Sequence, residues 1–116
     1  MYPWGNEAAE CSRLNYNWCV GDTSQVGAYP TGTSPYGAMD MSGNVEEWVN
    51  DWYSSTYYSG SPAENPQGPD TGETRVVRGG SWDYYWYYVR AAVRSYPLPI
   101  SRNHYFGFRC AASPGE

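Results

Sequence analysis

The sequence predicts a small domain of short strands set in long irregular loops, with little helix. Three observations carry that expectation. Thirteen glycines and nine prolines in 116 residues interrupt the chain too often for long regular elements. The aromatic bulk is thirteen tyrosines and six tryptophans against two phenylalanines, and no Leu-rich, Ala-rich or Lys/Glu-rich run offers a helical stripe. The clearest extended segment, Arg75-Val76-Val77-Arg78, is four residues long and runs directly into Gly79-Gly80. At this length a single domain over residues 1–116 is expected, able to bury about two thirds of its unfolded surface.

Charge and cysteine usage narrow the classes. The net charge is −5 and all seven cations are arginines. With no basic stripe, a protein that tracks nucleic-acid phosphates is excluded. No apolar run approaches membrane-spanning length, so no membrane insertion is expected. Met1-Tyr2-Pro3-Trp4 has neither a charged leader nor an apolar core, so no signal peptide is read there. Three cysteines permit one internal disulfide, and Cys11–Cys19, Cys11–Cys110 and Cys19–Cys110 all stay open. The absence of a C-x-x-C pair or a nearby histidine argues against a metal held by thiolates. His104, the single histidine, sits among loop formers and reads as a rim hydrogen-bonding residue rather than a base.

In chain order, residues 1–37 read as an irregular segment broken by Pro3, Gly5, Gly21, Gly27, Pro30, Gly32 and Pro35. Asn15, Asn17 and Asp22 supply oxygen atoms suited to a hard cation such as calcium, and ordinary Asx turns explain them equally well. Over Tyr36–Trp52 the periodicity is ambiguous. Val45/Val49 and Trp48/Trp52 suit a helix, whereas Val45, Glu47 and Val49 suit one face of a strand. Asp40, the turn at Gly43, and Glu47 can together surround a cation with two carboxylates and backbone carbonyls. Nothing near them offers the nucleophile or base that acid–base catalysis would need. Residues 53–74 form a long turn-rich loop, then the 75–78 strand reaches a glycine pair that marks a bulge or a close backbone approach.

Everything upstream leads to Arg78–Arg109, where two kinds of residue interleave. One is a frame: Arg78-Gly79-Gly80-Ser81-Trp82, Val89-Arg90, Ala92, Arg94, Pro99, Arg102 and Gly107-Phe108-Arg109. The other is bulky or polar and dominated by Tyr84, Tyr85, Tyr87, Tyr88, Tyr96 and Tyr105. Were Tyr84–Tyr88 a strand, Tyr84, Trp86 and Tyr88 would face away from Tyr85 and Tyr87. Burying both faces requires apolar layers on each side and a partner for every phenol hydroxyl. The composition offers too little of either, so at least one exposed aromatic face is expected. Tyrosine gives large, stiff contact area with a polar tip, as binding surfaces require.

YPWGN (Tyr2–Asn6), YGAMDMSGNVEEWVNDWY (Tyr36–Tyr53), NPQGP (Asn65–Pro69), RVVRGGSW (Arg75–Trp82) and GFRCA (Gly107–Ala111) resemble, in order and spacing, the formylglycine-generating-enzyme or sulfatase-modifying-factor domain. The resemblance implies an α+β, C-type-lectin-like fold of the formylglycine-generating-enzyme subtype. It covers the C-terminal part of that domain, so the chain is expected to lack the family's N-terminal half, supplied by another chain or replaced by self-association. The cysteine pair with which the catalytic branch holds copper falls on Tyr84 and Val89, which have no thiolate. The resemblance therefore implies no copper and no catalysis. The family's calcium pattern falls on the Asp40 and Glu47 side chains with the carbonyls of Gly43 and Val45. A second, weaker set falls on Asn15, Tyr16, Asp22 and Ser24.

Within Arg78–Arg109 the frame W-xxx-W-xx-VRAA-x-R-xxxx-P-xx-R-xxx-FGFR also resembles the variable region of diversity-generating-retroelement proteins, here about residues 82–106. In that class, asparagine codons are rewritten at adenines while the frame stays fixed. The substituted positions hold Asp83, Tyr84, Tyr85, Tyr87, Tyr88, Val93, Ser95, Tyr96, Pro97, Leu98, Ile100, Ser101, Asn103, His104 and Tyr105, with the frame residue Trp86 sharing the same surface. An adenine-randomised asparagine codon ending in a pyrimidine cannot yield Lys, Glu, Gln, Met or Trp, and none of the substituted positions carries one. Frame arginines Arg90, Arg94 and Arg102 are expected to hold backbone carbonyls, with Trp82 and Phe108 as core anchors. The implied function is a non-catalytic module whose tyrosine-rich surface meets a protein or cell-surface ligand, the alternatives being a formylglycine-generating-type oxidase or related enzyme that has lost its cysteine pair, or an assembly domain. Host and compartment stay open, surface display and virion association both being compatible.

Overall fold

The computed structural model describes residues 1–112; the last four residues of the expected 1–116 domain lie outside the described residues. Strand β1 covers Glu46–Trp52, a single helical turn α1 covers Tyr57–Gly60, β2 covers Arg75–Arg78 and β3 covers Phe106–Gly107. Pro30–Gly32 adds a 3-10 turn. The remainder is irregular, as the density of loop formers predicts. Within the ambiguous Tyr36–Trp52 stretch, Glu46–Trp52 is a strand, because its Val and Trp residues have a sheet partner to pack beside. β1 pairs antiparallel with β2, Trp48 opposite Val77, with an irregularity between Trp48 and Trp52. β3 joins the other edge of β1 in parallel, Glu46 opposite Phe106. The sheet order is thus β2-β1-β3.

β2 supplies buried Val76 and Val77, between half-buried Arg75 and Arg78. Its free edge is covered where Val77 and Ser95 exchange backbone hydrogen bonds. Beside the sheet, Tyr2, Leu14 and Val89 form a buried cluster, with Trp4, Ala9, Tyr16 and Tyr84 packed on it. The irregular N-terminal segment therefore contributes to the core. Part of what ties it down is Cys11–Cys19, the pairing the structure selects, while Cys110 is free and exposed. The glycine pair behaves as expected: both residues have positive φ, and a Cβ on Gly80 would lie 2.8 Å from Val89 Cγ1. Among the described residues no helix is long and apolar enough to cross a membrane.

The aromatic run and one core anchor differ in detail from the sequence reading. Tyr84–Tyr88 takes up the expected exposed aromatic face, but as a series of turns rather than a strand, with Tyr84 N–H bonded to Ser81 O and Tyr88 N–H to Tyr85 O. With no ladder to impose alternation, four consecutive side chains turn outward. Phe108 does not anchor the core, being 77% exposed, because β3 ends at Gly107. Phe106 takes the packing role, edge-on to Trp48 with ring centroids 5.3 Å apart.

Candidate functional site

The 82–91 backbone is pinned mainly by groups outside it. Trp82 O accepts from Trp18 N–H, Tyr84 O from Asn17 N–H, and Trp82 N–H bonds to Asn44 O, each at 2.9 Å. The Ser42 hydroxyl donates to Val89 O at 2.7 Å, and Arg78 donates to Ala91 O at 3.0 Å. Arg90 Nε holds Tyr87 O, as the frame reading expects. Arg94 does not hold a carbonyl; its guanidinium lies over the rings of Tyr53 and Tyr58. Arg102 is exposed and makes no hydrogen bond among the described residues. The expectation placed the clamp on three arginines, whereas residues 1–44 supply most of it. No periodic signal marks Asn17, Trp18 or Ser42 for that role.

On this clamp Tyr85, Trp86, Tyr87 and Tyr88 stand 38–55% exposed, flanked by buried Ser81, Trp82 and Val89. The rings touch in sequence: Tyr84–Tyr88 at 5.3 Å, Tyr87–Tyr88 at 4.3 Å and Trp86–Tyr87 at 5.5 Å between centroids. A second group gathers round Trp82, whose ring meets Trp18 at 4.6 Å and Tyr105 at 5.8 Å, with His104 against Tyr105 at 4.0 Å. In a third, Tyr96 stacks on Tyr53 at 4.0 Å. Leu98, Ile100 and Asn103 are exposed, while Val93, Ser95 and Ser101 are half-buried. The loop residues Tyr53 and Tyr58 belong to this surface and carried no sequence signal for it.

Tyr84 faces inward. Its hydroxyl lies 3.4 Å from the carboxylate of Glu46, a residue only 4% exposed. Burial, then the neighbouring Glu46 and Asp83 charges, push the Tyr84 phenol up to about 12. Burial raises Glu46 as well, with the hydroxyls of Ser95 and Tyr84 opposing that shift. Asp83 accepts from the Ser81 hydroxyl.

The structure brings Asp40 and Glu47 to one cavity, together with Val45. Three of their four carboxylate oxygens have donors: Asp40 Oδ2 accepts Gly27 N–H at 2.7 Å, and both Glu47 oxygens accept from Arg109, at 2.6 Å from Nε and 2.5 Å from Nη2. Arg109 also bonds to the carbonyls of Met39 and Asp40. The Glu47 hydrogen bonds, opposed by burial, hold Arg109 above the usual guanidinium range. In the weaker set Tyr16 O, Asp22 O, Asp22 Oδ1 and Ser24 O have donors, and one buried oxygen is left over. Asn15 Nδ2 donates to Asp22 O at 2.7 Å, while Asn15 Oδ1 is buried without a partner. An orphaned buried oxygen costs about 1–3 kcal/mol, which a hard cation would offset.

Comparison with known proteins agrees with this architecture. Residues 1–114 match the sulfatase-modifying factor enzyme 1-like domain. The chain is 45% identical over 112 residues to the serine/threonine-protein kinase pkn1 of Chlamydia pneumoniae, covering 95% of this chain and 17% of the kinase. It is 40% identical over 124 residues to the formylglycine-generating enzyme of Streptomyces coelicolor, covering 95% of this chain and 40% of that enzyme. The solved structure of Treponema denticola variable protein 1 superposes with a TM-score of 0.77 at 29% identity, over 93% of this chain and 40% of that one. The chain thus spans less than half the length of these relatives. It belongs to the sulfatase-modifying factor enzyme 1-like domain family.

Proposed function

We propose that the chain is a non-catalytic binding module that displays a sequence-variable, tyrosine-rich surface toward a protein or cell-surface ligand. The observation that carries this reading is the exposed run Tyr85–Tyr88 on a backbone clamped by groups outside it. Such an arrangement lets side chains change while the main chain keeps its path. The likeness to a solved variable protein supports the same reading. So does the residue chemistry where the family's enzymes keep two thiols: Tyr84 and Val89 offer none, Cys11 and Cys19 are joined to each other, and Cys110 is exposed.

The experiment replaces the coat without touching the clamp. Tyr85→Ser, Tyr87→Ser and Tyr88→Ser combined should change the melting temperature by no more than about 6 °C, since exposed substitutions each cost within about 0.5 kcal/mol. Unfolding of the triple variant would sink the reading. Sequencing further copies of the gene should place substitutions at the positions between frame residues and leave Trp82, Val89 and Arg90 unchanged.

A structural calcium ion belongs to the proposal at Asn15, Tyr16, Asp22 and Ser24. It would be held by the Asn15 and Asp22 side chains with backbone carbonyls, and it would stabilise only the folded form. Chelation should lower the melting temperature of the native chain and leave that of Asn15→Ala unmoved. Equal responses from the two proteins would remove the ion from this site.

A further inference from the structure

Arg78 and Arg94 line one cavity of about 50 Å³, between the sheet and the 53–74 loop. Arg94 rests on two rings, its guanidinium carbon 5.1 Å from the Tyr53 centroid and 4.6 Å from that of Tyr58. Stacking occupies the faces of a guanidinium and leaves the N–H groups at its edge. Among the described residues none of those N–H groups has an acceptor and no carboxylate pairs with Arg94; the two ion pairs present use Arg13 and Arg109. Arg78 is held only by neutral oxygens, the Ala91 carbonyl and the Tyr58 hydroxyl. Tyr58 accepts from Arg78, and Tyr57 accepts from Gly68 N–H, so each phenol keeps its own hydrogen to donate. Asp51 also lines the cavity, and two arginines against that one aspartate leave it at +1.

A net positive site lined by donors is unusual in a chain of net charge −5. We propose that this cavity is an anchor for a carboxylate side chain of the protein partner. A planar carboxylate matches the free edge of Arg94, and the volume admits about two or three heavy atoms. The anchor adjoins the variable surface, because Tyr53, one of the rings beneath Arg94, carries the variable residue Tyr96 on it at 4.0 Å. Its place in recognition rests on the binding-module reading; its affinity for a carboxylate does not.

The test follows the arginine Nε–Hε resonances of the whole chain by NMR during titration with sodium acetate, with sodium chloride and inorganic phosphate as parallel arms. Acetate should move Arg94 and Arg78 along a saturating curve with a Kd on the order of millimolar, leaving Arg90 and Arg102 on the chloride baseline. Arg94→Gln should abolish saturation. Tyr58→Phe, which keeps the ring and removes the hydroxyl, should weaken acetate about 3- to 10-fold, the loss of one hydrogen bond. Non-saturating shifts shared by all arginines would overturn the proposal, as would saturation by phosphate alone. A coat that accepts serine while acetate fails removes the anchor and leaves the module; acetate binding in a protein whose coat cannot be changed does the reverse.

Discussion

Tyr88 and Val89 are chain neighbours, yet Tyr88 is 45% exposed and Val89 is fully buried. The difference lies in what each contributes. Val89 fills the cluster with Tyr2 and Leu14 and lends its carbonyl to Ser42. Tyr88 contacts the exposed ring of Tyr87 and the ring of the inward-facing Tyr84. Core packing and exposed aromatic surface thus occupy alternating stretches of one segment. β1 repeats the contrast on adjacent residues. Glu46 is buried without a cation under Tyr84, whereas Glu47 is paired to Arg109.

The strongest challenge to the division is Trp82→Ala. Loss of this buried ring should cost about 3–5 kcal/mol in chemical denaturation, far above any single coat change. A cost below that of Tyr88→Ala would break the contrast between frame and coat. Trp82→Phe should cost less, because the indole N–H is buried without an acceptor and its removal relieves a desolvation penalty.

Next in size is Arg109→Gln. It removes the Glu47 pair and the bonds to Met39 and Asp40 carbonyls, and should lower stability by about 1–2 kcal/mol, a figure discounted for the exposure of the guanidinium. A loss unaffected by high salt would show that the two carbonyl bonds, rather than the ion pair, account for it.

The finest test separates the two glutamates by pH. The folded-state pKa of Glu46 is raised, so its favourable contribution is fully present below the unfolded carboxylate value and is lost as pH rises through the folded one. Glu46→Gln should therefore match the native protein in acid and exceed its stability at neutral pH. Parallel pH–stability curves for the two proteins would show that Glu46 is not a strained charge.

Much of the architecture was legible because it is written locally. Arg75–Arg78 is a short β-branched run that ends in glycines, loop formers crowd residues 1–37 and 53–74, and family motifs keep their spacing. The exposed tyrosines followed from a composition too poor in apolar bulk to cover both faces. The outward turn of four successive rings did not, because alternation applies only where a ladder exists. Arg94 was read as a carbonyl clamp, since an isolated arginine in a frame gives no hint that two tyrosines some forty residues earlier will lie against it.

What the chain's own residues determined is therefore the punctuation, the short strands, the frame and the supply of tyrosine. These depend on backbone freedom, side-chain entropy and spacing between near neighbours. Only the tertiary structure decided that Cys11 takes Cys19, that Arg109 takes Glu47 across 62 residues, and that Glu46 is left beneath Tyr84. Those outcomes are contests among many similar groups for a few partners. Long-range packing settles them, by fixing which groups come within reach before any hydrogen bond or ion pair forms.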